Sequence, residues 1–225
     1  MLNVSRLSVE QRYRLIYKPA LLIAGLTPAV LLTAGAFGVL GQNLGADPVA
    51  RILHSCGKTA LNFLLITLTV TPLRQLTGLT NLLRLRRMLG LFAFFYALLH
   101  FLVYLILDQQ LDFAGVLKDI AKRPYITVGF TALVLLVPLA ITSTNRMMRR
   151  LGRRWQRLHR LVYVCAALGV VHYWWQVKRD VREPLLYAGM LAVLLGVRAA
   201  RSWARRGTLT SKSPSAPSLR PSGSD

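Results

Sequence analysis

The sequence predicts an all-α fold, a polytopic membrane helix bundle of about six transmembrane helices. Three observations carry this. Of its 225 residues 54% are apolar and only 16% charged, where a soluble domain carries roughly a quarter. The apolar residues gather into six runs, most of them near the 20 or so residues a helix needs to cross a bilayer. The charges lie between the runs, and they are 29 Lys and Arg against 8 Asp and Glu. A net charge of +21 spread over a soluble fold would point to nucleic acid. Basic segments that alternate with apolar runs point instead to the loops of a membrane protein, with lipid and not nucleic acid as the surroundings.

The predicted spans are 19–41, 52–72, 88–107, 124–142, 155–175 and 184–200. Charges from Arg6 to Lys18 precede the first, as in a signal peptide, but its apolar run is too long for an h-region, so it is expected to be retained. Gly41 to Pro48 divides it from the second, which Thr71-Pro72-Leu73-Arg74 is expected to close. Arg86-Arg87 precedes the third. Lys122-Arg123-Pro124 opens the fourth, Trp155 the fifth, and Glu183-Pro184 the sixth, with proline at a first-turn position that tolerates it. Residues 1–206 thus read as one membrane domain, and 207–225, rich in Ser and Pro, as a disordered cytoplasmic tail.

With both termini in the cytoplasm, 21 of the 29 cations fall on the cytoplasmic side. Six of the eight acids (Asp47, Asp108, Asp112, Asp119, Asp180 and Glu183) fall on the other. This is the orientation that the positive-inside rule favours. The two cysteines, Cys56 and Cys165, make no disulfide framework.

All four histidines, His54, His100, His159 and His172, lie in or at the end of a predicted span, where an ionisable side chain is costly and hence a functional candidate. From Met88 to His100 is about 18 Å of helix, and His172 lies far along the fifth span, so both are expected in the outer half, at similar depth. Facing imidazoles at one level suit bis-axial ligation of an electron-transfer b-type haem. His159 lies about 20 Å nearer the cytoplasm. Opposite it the third span offers Arg86, Arg87 and Met88 rather than a second histidine. His159 therefore stands as a further metal-ligand candidate, or as a contact for quinone, flavin or a haem propionate. His54, at the outer surface, is an alternative ligand or a solvated residue. The basic run from Arg149 to Arg160 reads as topogenic charge with an interfacial Trp155, or as a cationic site for a flavin phosphate or haem propionates. Tyr173-Trp174-Trp175 reads as an aromatic belt.

No Gly-rich nucleotide loop, paired carboxylates or Cys/His cluster appears, so no catalytic residue is assigned. Oxidation of NAD(P)H by the chain itself would need a soluble flavin and nucleotide domain. Electrons are instead expected from a membrane donor such as quinol, or from a separate protein. A transporter that uses its histidines as titrating groups is the reading from another class. No buried carboxylate accompanies the histidines, and no broken-helix repeat supports it.

Several stretches occur together in order: Gly45-Ala46-Asp47-Pro48-Val49, His54-Ser55-Cys56-Gly57-Lys58-Thr59, Thr71-Pro72-Leu73-Arg74, Arg86-Arg87-Met88-Leu89-Gly90 and Leu99-His100. Arg123-Pro124-Tyr125, Thr142-Ser143-Thr144, Leu151-Gly152, Trp155, Leu158-His159 and His172-Tyr173-Trp174 follow. In this order they resemble the MsrQ (YedZ) family, haem-binding membrane subunits of bacterial periplasmic protein-methionine-sulfoxide reductase systems within the ferric-reductase-like transmembrane superfamily. The resemblance covers roughly residues 15–205. It implies a multi-pass protein of the bacterial inner membrane. Such a protein takes electrons from the respiratory quinone pool and passes them through haem b and FMN to a periplasmic molybdopterin-containing catalytic subunit. It also carries the family's important histidines onto His100, His159, His172 and His54. A cytochrome b subunit serving another partner, or a transmembrane metal reductase, is the alternative within the same class.

Overall fold

The computed structural model describes residues 8–39, 44–78, 82–177 and 180–210, and within them all regular structure is helical. Helix α1 (Val9–Arg12), a π-helical turn (Tyr13–Tyr17) and α2 (Lys18–Ala36) follow one another without a break. Then come α3 (Pro48–Thr77) and α4 (Leu82–Val103), which continues into a second π-helical turn (Tyr104–Asp108). The chain goes on through α5 (Phe113–Lys122), α6 (Pro124–Ile141), α7 (Asn145–Leu151), α8 (Arg153–Leu158), α9 (Leu161–Gln176) and α10 (Arg182–Thr210).

Five of these stretches are long and apolar enough to cross a membrane: Glu10–Ala36, Pro48–Thr77, Arg84–Asp108, Pro124–Ile141 and Arg182–Ala204. They match five of the six predicted spans. The fifth predicted span differs. Its first residues form α8, and the helix restarts only at Leu161, so α9 is about 24 Å long. The break is built by side chains: the Trp155 indole donates to the carbonyl of Thr142 at 3.0 Å and stacks on His159 at 4.0 Å. This pins the end of α8 against the end of α6.

The second predicted span also ends elsewhere. Pro72 does not close α3, which runs on to Thr77 and stops where Gly78 takes a left-handed φ of 72°, a conformation glycine adopts freely. A proline inside a helix removes the donor for the carbonyl four residues back, here that of Leu68. Arg198 of α10 supplies the replacement, donating to that carbonyl at 2.6 Å.

A hydroxyl also enters the ladder of α2, one rung past the Ala24 carbonyl that Pro28 leaves without its donor. The buried Tyr96 hydroxyl accepts from the N–H of Ala29 at 3.1 Å and donates to the carbonyl of Gly25 at 2.7 Å, groups that an unbroken helix would pair with each other. The two helices touch closely there. A Cβ on Gly25 would stand 2.3 Å from the Phe92 ring.

Two packed pairs, α3 with α4 and α6 with α9, form the centre of the bundle. Contacts of α3 with α9 and of α4 with α6 join the pairs, and α10 lies against α3 and α9. The packed core includes Leu64, Leu68, Ala93, Leu136, Cys165 and Ala166. Large apolar side chains such as Ile23, Leu186 and Val193 are turned outward, as lipid contact requires. Helix α10 continues past the expected domain boundary at 206, and the rest of the expected tail, 211–225, lies outside the described residues.

Candidate functional site

Between the two pairs lies a cavity of about 730 Å³, within the range of small-molecule and cofactor sites. Its deeper wall is apolar and partly made of small residues, among them Ala60, Ala93, Ala97, Ala132 and Gly169. His100 on α4 and His172 on α9 line it from opposite pairs, and His54 on α3 lines its mouth.

The centroids of the His100 and His172 rings are 6.0 Å apart, with the ring planes at 77°. Nδ1 of His100 lies 2.8 Å from the carbonyl oxygen of Leu53, and Nδ1 of His172 lies 2.7 Å from that of Tyr125. A carbonyl only accepts, so each Nδ1 carries the proton and each Nε2 keeps its lone pair. Such a bond from the other ring nitrogen is what orients a metal-bound imidazole. Two metal–imidazole bonds of about 2.0 Å, lengthened by the ring radii, place trans ring centroids roughly 6 Å apart. The pair therefore fits a metal-centred planar group held between two imidazoles.

Glycines let the helices approach both rings. A Cβ on Gly57 would stand 3.1 Å from Nδ1 of His100, and one on Gly129 would stand 2.7 Å from Nδ1 of His172. Neither glycine was singled out by the sequence, because a glycine's role here depends on which ring it meets.

The other two histidines are engaged differently. The Gln176 amide donates to Nε2 of His54 at 2.7 Å, which occupies its lone pair. His159 lies outside this cavity, at the end of the bundle that carries the arginines. Its Nε2 is 3.1 Å from the Thr142 hydroxyl, whose own proton goes to the carbonyl of Pro138 at 2.6 Å. Nε2 of His159 is thus the donor in that bond. Across this end, Arg86 reaches the Thr71 hydroxyl at 3.4 Å, and Arg87 pairs with Asn145. Arg198 lies over the Tyr163 ring, 4.9 Å from its centroid, and donates to the Tyr163 hydroxyl.

Charged groups also line the cavity where the sequence reading had placed none, namely Lys58, Asp108 and Arg123. Lys58 pairs with Glu183, and Tyr173 donates to the same carboxylate. Tyr173 accordingly faces the cavity, whereas Trp174 and Trp175 are exposed and suit an aromatic belt. A lysine inside a predicted span is costly, and that was the signal available for Lys58.

Residues 55–170 match the family described as ferric reductase like transmembrane component. The chain is also similar to proteins named protein-methionine-sulfoxide reductase heme-binding subunit MsrQ. It is 59% identical over 170 residues to that of Xanthomonas oryzae pv. oryzae strain MAFF 311018, covering 76% of this chain and 78% of the relative. It is 60% identical over 172 residues to that of Xanthomonas campestris pv. campestris strain 8004, covering 76% and 79%. Against the protein from Ralstonia nicotianae strain ATCC BAA-1114 / GMI1000 the identity is 56% over 178 residues, covering 76% and 82%.

Proposed function

We infer that this chain, which belongs to the MsrQ family of ferric-reductase-like transmembrane components, is a haem-binding electron-transfer subunit of a protein-methionine-sulfoxide reductase system. The observation that carries this reading is the pair His100 and His172, each with Nδ1 tied to a backbone carbonyl and their rings 6.0 Å apart across one cavity. Haem held there by His100 and His172 would supply one-electron transfer. The chain's own part is to fix the two rings, exclude water with an apolar wall and hold the group at one end of the bundle.

The further assignments rest on the resemblance and the charge pattern. The membrane is the bacterial inner membrane, with the arginine-rich end and both termini in the cytoplasm. Electrons come from quinol, and FMN is a second carrier, for whose phosphate the cations between Arg149 and Arg160 are suited. The recipient is a periplasmic molybdopterin-containing subunit that reduces methionine sulfoxide in proteins. It docks on the segments around 108–122 and 176–183. Asp112 caps α5 through the N–H of Gly115, and Asp119 holds Tyr104 and Arg123, so neither is a clean docking probe. Charge reversal at the exposed Lys118 should slow reduction of the partner. An unchanged rate would count against this surface.

The test of the haem reading is a reduced-minus-oxidised spectrum with a haem-to-protein ratio. His100→Ala and His172→Ala should each abolish the low-spin b-type signal. A signal that survives both substitutions overturns the ligand assignment.

A further inference from the structure

Two side-chain triads, each a cation, a carboxylate and a tyrosine, flank the cavity. On one side Lys58 of α3 pairs with Glu183 of α10, and Tyr173 of α9 donates to that carboxylate. On the other, Arg123 pairs with Asp119 of α5 at 3.1 Å, and Tyr104 donates to the Asp119 carboxylate at 2.9 Å. The cation and the tyrosine of each triad line the cavity. Among the described residues Lys58 and Arg123 are the only Lys and Arg that do so, and Asp108 lines it as well. The deep wall, by contrast, is formed by residues such as Leu64, Ala93, Leu136 and Cys165.

Each triad is also fastened to one of the histidines. Lys58 follows Gly57, which packs on the His100 ring. Arg123 stands two residues before Tyr125, whose carbonyl holds His172. The cations thus come from the same backbone stretches that set the two imidazoles. In each triad the carboxylate uses only part of the cation's donor set, since an ammonium has three donors and a guanidinium five. Binding an anion inside an apolar wall requires such donors.

Resting on the haem reading above, we propose that the triads Lys58–Glu183–Tyr173 and Arg123–Asp119–Tyr104 each receive one of the haem's two propionates. The porphyrin's carboxylate edge then faces the cavity mouth and its apolar edge faces Leu64 and Leu136. Glu183 and Asp119 act as positioning residues that hold each cation at the cavity edge.

The experiment compares haem with haem dimethyl ester, which has the same ring but no carboxylates. Protein is made in haem-limited cells, reconstituted in detergent with either compound, and followed by absorption and by transfer of the pigment to apomyoglobin. Wild type should release the ester about ten- to a hundredfold faster than haem, the effect of losing charge-assisted hydrogen bonds. In Lys58→Met/Arg123→Met that preference should collapse to near unity, with the bis-histidine spectrum kept. Lys58→Arg and Arg123→Lys should retain most of it. An unchanged preference in the double Met variant overturns the proposal. So does an equal loss in the charge-keeping variants, which would mark a purely structural effect. A wild type that binds neither pigment with a bis-histidine spectrum would instead overturn the haem reading beneath it.

Discussion

The two ends of the bundle treat histidine in opposite ways. At the cavity end, His100 and His172 give their Nδ1 protons to helix carbonyls at 2.8 and 2.7 Å, which leaves Nε2 as a base. At the arginine-rich end, His159 spends Nε2 on the Thr142 hydroxyl and stacks on Trp155. The same residue type thus keeps the Nε2 lone pair in one place and spends Nε2 on a bond between helix ends in the other. A histidine's chemistry follows from which nitrogen its neighbours consume.

The largest test of this contrast is substitution of the histidines themselves. His159→Ala should leave the low-spin haem signal in place, while His100→Ala or His172→Ala removes it. Loss of the signal in His159→Ala would erase the distinction between the ends. A smaller effect separates the two rings of the cavity. Gly129→Ala puts a methyl 2.7 Å from the His172 ring, and Gly57→Ala puts one 3.1 Å from His100. Overpacking of this kind costs about 1–3 kcal/mol. Haem retention should therefore fall more in Gly129→Ala than in Gly57→Ala, as read by haem-to-protein ratio after gel filtration. The smallest effect belongs to the other end. Thr142→Val removes the acceptor of His159 and should lower stability by about 1–3 kcal/mol, seen as a lower thermal midpoint in detergent with an unchanged haem spectrum.

Much of the scaffold was legible in the sequence because apolar run length reports directly on helices that must satisfy their own backbone in lipid. Five spans and the shared level of His100 and His172 came from that alone. What escaped depended on partners far along the chain. Pro72 looked like a terminator, since nothing local shows that Arg198 will take over the Leu68 carbonyl. The break at His159 needed Trp155 to find Thr142. Helix α5 lies between the third and fourth predicted spans, where Asp112 three residues before Gly115 is a capping signal. At the site, the glycines against the imidazoles and the Lys58–Glu183–Tyr173 group are assembled from helices far apart in the chain, so no single window of sequence contains them.

The Tyr96 hydroxyl that bridges Ala29 and Gly25 has a consequence for biogenesis. Helix α2 emerges from the ribosome before α4, and until Tyr96 arrives Ala29 and Gly25 have only each other to pair with. An unpaired donor and acceptor in hydrocarbon cost several kcal/mol. Direct pairing of Ala29 with Gly25 therefore serves the first span on its own, and arrival of the third exchanges that bond for two to Tyr96. One phenol oxygen thus ties the first span to the third through its backbone as well as its side chains.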